Sequence, residues 1–256
     1  MRLPLSFFLP KNSIVYFAIW AFLFYYPPLY SQINEQETSY YDWFDNTVGQ
    51  ENSSLFNGIL FVDTYKVINE KHHFLDSPDF MLGSVVYDGQ MYYEQQLKYD
   101  LFTDELLVNP RGTSIALIVQ LRKSNTEGFF LKDRKFIRVD KSEENKLATD
   151  LGFCEVLSER NGALLLNKHT KIMTSKRNNE FEYKEFYRSN RYYMVLDKTY
   201  YSVDSQSDWI SIFPEYKKDI KALYRAYKTL RKTDNAAFQK LLFERFVENI
   251  LQTDTK

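Results

Sequence analysis

The sequence predicts a mainly β, α+β protein: an antiparallel β meander, sandwich or partly open barrel with a C-terminal two-helix hairpin. Three observations predict it. Short apolar runs with a period of two recur between residues 55 and 208, separated by Asp-Gly, Asn-Gly and Asp-Lys turns. No helix-length segment lies between them, which removes the crossovers that a parallel sheet requires. After Trp209 the apolar period changes from strand to helix.

Residues 1–31 read as a signal peptide, 32–54 as a mobile start with Tyr40, Tyr41, Trp43 and Phe44 available to dock, 55–208 as the β domain and 209–256 as the helical hairpin. Leu55 to Tyr65 reads as a first strand or short extended segment, and Ser77-Pro78-Asp79 as a turn. Asp88-Gly89 joins Gly83–Tyr87 to Gln90–Tyr93, because a type I′ hairpin needs positive φ at both central residues. Leu97, Tyr99 and Leu101 alternate with Lys98 and Asp100, giving one buried and one wet face. Thr103-Asp104 reverses the chain into Leu106-Leu107-Val108, and Asn109-Pro110-Arg111-Gly112 turns it again. Ser114 to Leu121 is a further strand. Phe129 to Val139 is a hairpin turning near Lys132-Asp133, and residues 140–150 are a charged loop. Gly152 to Leu157 and Ala163 to Met173 flank Asn161-Gly162; residues 174–190 are highly charged; Arg191 to Leu196 and Thr199 to Val203 flank Asp197-Lys198. The total is roughly nine to twelve short strands. Pro214 opens the first helix, with Tyr216, Ile220, Leu223, Tyr224 and Tyr227 on its apolar face. Asp234 or Asn235 caps the second, which carries Phe238, Leu241, Leu242, Phe246 and Ile250.

The leader carries Arg2 and Lys11, then an uncharged run from Ser13 to Tyr26, then Pro27-Pro28. A basic start, a short apolar run and a small residue before a polar one is the layout of a secretory signal. Cleavage is expected between Ser31 and Gln32. A retained anchor is the competing reading, but a spanning helix needs about 20 apolar residues. The expected location is the periplasm or the periplasmic face of an outer membrane.

Composition excludes several classes. The formal charge of −1 becomes −3 without the two leader cations, which does not suit nucleic acid. Cys154 is the only cysteine, so no intrachain disulfide and no multi-thiolate zinc site is possible. The chain holds 20 Tyr and 21 Phe, which suit strand cores and cross-strand pairs, or the wall of a lipid or sugar pocket. No nucleophile-elbow, zincin, P-loop or dinucleotide motif is present, and no cofactor is expected.

Few residues carry chemistry. Asp100 and Asp104 bracket a strand end, and paired carboxylates can serve hydrolysis as acid and base. The plainer reading gives Asp104 to the turn and Asp100 to the wet face. His72 and His73 are adjacent, would point to opposite faces on a strand, and make a poor metal pair; no metal is expected. Cys154 reads as a small core residue. Lys217, Lys221, Arg225, Lys228 and Lys232 recur at steps of three and four, one basic helix face suited to a membrane surface or an acidic partner.

The order Asn57-Gly58, His72-His73-Phe74-Leu75, Gly83–Gly89 and Leu97–Leu101 is similar to a group of exported proteins of Bacteroidota-type bacteria. Phe129-Phe130-Leu131, Arg134–Arg138, Gly152-Phe153 and the Lys-rich closing helices fit it too. The resemblance implies export and a β-rich fold, and it carries no activity. The expected function is therefore that of a non-enzymatic envelope protein binding a protein partner or an apolar ligand. The two other expectations are a hydrolase using Asp100 and Asp104, and a structural accessory of an outer-membrane assembly that docks through the basic helix.

Overall fold

Positive φ at the predicted turns sets the chain into hairpins. Asp88 and Gly89 have φ of 50° and 75°, and Asp197 and Lys198 have 46° and 63°, the type I′ signature. The computed structural model describes residues 54–110, 118–140, 151–160 and 162–253, with side chains as far as 247. The leader and its cleavage site lie outside the described residues.

The described residues form thirteen strands. They are β1 (Ile59–Leu60), β2 (Met81–Tyr87), β3 (Gln90–Asp100), β4 (Glu105–Asn109), β5 (Val119–Gln120), β6 (Thr126–Leu131) and β7 (Arg134–Val139). There follow β8 (Gly152–Arg160), β9 (Ala163–Lys168), β10 (Lys171–Arg177), β11 (Glu182–Arg188), β12 (Arg191–Leu196) and β13 (Thr199–Ser202). Eleven make one antiparallel sheet in the order β1-β5-β4-β3-β2-β6-β7-β8-β9-β12-β13, with its two ends unjoined; β10 and β11 pair separately. Four helices close the chain: α1 (Gln206–Ile212), α2 (Lys217–Ala226), α3 (Lys228–Thr233) and α4 (Asn235–Thr253).

The sheet is strongly curled. Lys168 at the end of β9 reaches Asp104 beyond the end of β3 at 2.6 Å, yet five strand spacings separate β3 from β9. In a flat sheet those spacings amount to about 24 Å, at roughly 4.8 Å each. Aromatic packing fills the curve. Phe129 and Phe136 stack with centroids 4.6 Å apart, and Tyr99 and Phe153 meet Phe129 edge-on at 5.2 Å each. All four are fully buried.

The helices cover one face of the last strands. Leu165, Tyr192 and Met194 point into a cluster with Trp209, Phe213, Ile220, Phe238 and Phe246. Their neighbours Leu166, Tyr193 and Val195 point into a separate cluster with Cys154 and Val139, as strand alternation demands. Trp209 Nε1 donates to Gln239 Oε1 at 2.8 Å, tying α1 to α4.

Within the stretch Leu55 to Tyr65, read as a first strand or short extended segment, only Ile59–Leu60 pair as a strand, β1, and both are exposed. Three details correct the sequence reading. Ala163 to Met173 is not continuous: the chain leaves the main sheet at His169-Thr170 and starts the β10–β11 hairpin, which occupies the charged stretch 174–190. The helical end begins earlier, at Gln206, where Ser205 and Asp208 make a reciprocal capping box. And the predicted two-helix hairpin is four helices, since the first predicted helix breaks at Tyr227, whose ψ of 29° leaves the helical range. Of the predicted 114–121 strand only residues 118–121 are described, with Val119–Gln120 in strand, and of the 140–150 loop only Asp140.

Trp209→Ala removes the largest buried side chain between the sheet and the helices, and is expected to cost about 3–5 kcal/mol of unfolding free energy by urea denaturation. A loss below about 1 kcal/mol would show that the helices are not held by this contact.

Candidate functional site

The two carboxylates singled out in the sequence serve different partners. Asp104 takes the turn conformation at φ 59°. Its Oδ1 accepts from Tyr99 Oη at 2.5 Å and from Lys168 Nζ at 2.6 Å, and its Oδ2 from Lys123 Nζ at 3.1 Å. Lys168 Nζ also donates to the Phe153 carbonyl at 3.1 Å. A Cβ on Gly152, whose φ is 60°, would lie 1.8 Å from Asp104 Oδ2, so only glycine allows the approach. Burial first, and then the Asp104 carboxylate, push the Tyr99 hydroxyl well above the usual tyrosine range. Tyr99 therefore stays a donor. This cluster is a clamp across the curl; Lys123 Nζ also lies 3.7 Å from Glu105 Oε1, so two ammoniums face two carboxylates.

Asp100 departs from the expected wet face: it is fully buried. Its Oδ2 lies 2.8 Å from His73 Nδ1, and its Oδ1 accepts from the amides of Phe102 at 2.8 Å and Thr103 at 3.2 Å. Burial alone raises its pKa, but His73 and those two amides outweigh burial and hold the carboxyl below its ordinary value. His73 Nε2 lies 3.2 Å from Asp63 Oδ2. Both ring nitrogens thus lie within ion-pairing distance of carboxylates, although His73 Nδ1 and Asp100 Oδ2 do not meet with hydrogen-bond geometry. The adjacent His72 is only half-buried, and burial, then Lys171, lower its pKa.

Asp63, His72 and His73, but not Asp100, line a cleft of about 880 Å³ whose wall is drawn from the extended segment from Asp63 to Asp79. That segment is strapped down along its length. Lys184 and Phe186 of β11 donate amides to the carbonyls of Lys66 at 2.8 Å and Lys71 at 2.9 Å. Asp76 pairs with Arg134 of β7 and Arg188 of β11. Lys171 Nζ donates to the carbonyls of His72 at 2.5 Å and Phe74 at 2.8 Å. Burial, then Arg188, bring its pKa down to about 8. Glu70 and Asp79 line the cleft and make no ion pair among the described residues, while Lys66 and Lys71 of the same segment do not line it. Tyr65 and Phe74 supply aromatic surface, and Ile68 is half-exposed.

Other expectations fall outside this cleft. His169 is buried with Glu155, Nε2 to Oε2 at 2.5 Å, beside Asn167. Cys154 is fully buried, and burial pushes its thiol up to about 12. Among the described residues no three His, Cys, Asp or Glu side chains converge as metal ligands. The predicted basic face is split by the break at Tyr227: Lys217, Lys221 and Arg225 stand on α2, and Lys228 and Lys232 on α3, all exposed. Lys221 and Arg225 line a second pocket with Arg231, which the spacing argument passed over. No described helix is long and apolar enough to cross a membrane.

Comparison with protein families, with curated proteins and with solved structures finds no match.

Two outcomes follow from this geometry. Asp104→Asn leaves Lys168 buried without its counter-charge and is expected to cost about 3–5 kcal/mol, read from the urea midpoint. For pH, a carboxyl held below its ordinary value stabilises the fold above that value and loses the contribution as pH falls through the folded-state pKa. Asp100 and Asp76 are both lowered, and Tyr187 and Lys71 bring Glu185 to about 2. Stability is therefore expected to fall steadily below about pH 5, and Asp100→Asn to flatten that decline in urea titrations at stepped pH; an equal slope in the variant would remove Asp100 from the account.

Proposed function

We propose that this chain is a non-enzymatic binding protein of the cell envelope, and that its cleft along residues 63–79 receives a basic, partly apolar segment of a protein partner. The observation that carries this reading is the state of the cleft's reactive-looking groups. His73 is fully buried, with carboxylate oxygens of Asp63 and Asp100 within 3.2 and 2.8 Å of its two nitrogens. A general base needs a free nitrogen within reach of the proton it removes. Asp104 stands in a separate ion-paired cluster rather than opposite Asp100 across the cleft. What remains available is recognition chemistry.

That chemistry has a direction. Glu70 and Asp79 line the cleft without a direct ion pair among the described residues, which favours lysine or arginine on the partner. Ile68 at 49% exposure and Val62 at 67% add apolar surface along the same segment. A purely apolar ligand would leave the carboxylates desolvated and unpaired, at a cost that burying a few aliphatic groups does not offset. The uncharged leader run from Ser13 to Tyr26 supports an envelope location.

The test is a photo-crosslinker in place of Ile68, applied in cells. A discrete adduct with one envelope protein is expected, and Glu70→Lys with Asp79→Lys should abolish it while the melting temperature stays within a few degrees. An adduct that survives both reversals, or none at all, would overturn the proposal.

A further inference from the structure

Three cations from two helices line one pocket, and a single carboxylate, Asp204, lines it with them. Lys221 and Arg225 come from successive turns of α2, and Arg231 from α3; with Ser205, Tyr224 and Asp204 they line a cavity of about 550 Å³. That volume lies inside the range of roughly 300–1,000 Å³ common for small-molecule sites. None of the three cations has an ion pair among the described residues. Asp204 makes no ion pair with them: its Oδ1 accepts the Tyr192 amide at 2.6 Å and its Oδ2 the Ser202 hydroxyl at 3.4 Å, neutral donors that leave one negative charge against three positive ones. The nearby Asp208 carboxylate is taken by the Ser205 amide at 2.8 Å.

A solvated helix face accounts for cations that spread into water, as Lys217, Lys228 and Lys232 do. It does not account for the floor of this pocket. Tyr224 is buried, and its hydroxyl has no hydrogen-bond partner among the described residues. The Gln239 side chain interacts with that hydroxyl without meeting hydrogen-bond geometry, and Gln239 Nε2 has no other partner among the described residues. Burial holds the Tyr224 hydroxyl at about 12, so it is a donor across the physiological range. A buried donor left unmade is costly unless a ligand completes it. The Arg231 guanidinium carbon lies 5.3 Å from the Tyr224 ring centroid, which fixes the arginine at the rim. Two guanidinium forks, an ammonium and a phenolic donor make a set matched to a tetrahedral oxyanion.

We infer that the pocket formed by Lys221, Tyr224, Arg225 and Arg231 binds a phosphate group, presented either by a soluble phosphate ester or by a lipid headgroup. The site is independent of the cleft at residues 63–79. It lies on α2 and α3, beyond the end of the sheet's last strand.

Calorimetric titration of the purified protein with inorganic phosphate tests it. Wild type is expected to bind, and Arg225→Ala with Arg231→Ala to weaken binding at least about tenfold. Lys217→Ala with Lys228→Ala with Lys232→Ala removes three charges from the same helices but none from the pocket, and should stay within about twofold. Equal weakening in the two sets, or no binding by wild type, would overturn the site. Tyr224→Phe should weaken binding with an unchanged urea midpoint; unchanged affinity there would also count against it. Sedimentation with vesicles of phosphatidylglycerol in phosphatidylcholine then separates the sources. Pelleting that free phosphate competes away supports the pocket with a lipid headgroup as its occupant, and calorimetric binding without pelleting supports it with a soluble phosphate.

Discussion

The ion-paired clamp of Asp104 with Lys168 and Lys123 is the constraint on which the rest of the structure depends. A meander of eleven strands has no inherent reason to curl so far that β9 meets the turn after β3. Aromatic burial supplies the drive, and the clamp supplies the register, because charge-assisted hydrogen bonds at 2.6 Å tolerate little displacement. Gly152 is its geometric condition, since no other residue admits the Asp104 carboxylate so close. With the curl fixed, β9 ends where Lys171 can reach the carbonyls of His72 and Phe74, and the β10–β11 hairpin can strap the 63–79 segment. The cleft thus exists as a product of the sheet's curvature.

Turn chemistry made most of the fold legible. Asp88-Gly89 and Asp197-Lys198 both sit at positive φ, and the hairpins they specify occur where the alternation of Val85, Tyr87 and Tyr92 places them. The β10–β11 hairpin was hidden for a physical reason. Ser175, Lys176, Arg177 and Glu182 are exposed, so neither face has the apolar period that marks a half-buried strand. The short α1 helix carried a readable signal in Ser205-x-x-Asp208, a capping box too brief to register as a periodic segment. The break at Tyr227 had none: Lys228 to Thr233 continues a helical pattern, and only the backbone departs from it.

The sites were less legible than the fold. Asp100 alternates with Leu101 as a solvent-facing residue does, but its face is covered by the His72–Phe74 segment, which comes from outside the sheet. Local periodicity contains no information about such a cover. Tertiary contacts of the same kind join Asp63 to His73 and Asn69 to Glu185, pairs with no shared motif. The basic residues of α2 and α3 were visible by spacing, yet spacing groups Lys217 with Lys221 and passes over Arg231, the one that turns toward Tyr224.

The strand order has a consequence for how this chain meets others. An open sheet leaves two rows of unpaired peptide groups, and such rows template the addition of further strands. Here one row belongs to β1, two residues long, and the other to β13, four residues long and continuous with the α1 cap. Rows that short give an incoming strand too few bonds to hold its register. Among the described residues, that brevity guards the eleven-stranded sheet against growing edge to edge into an aggregate.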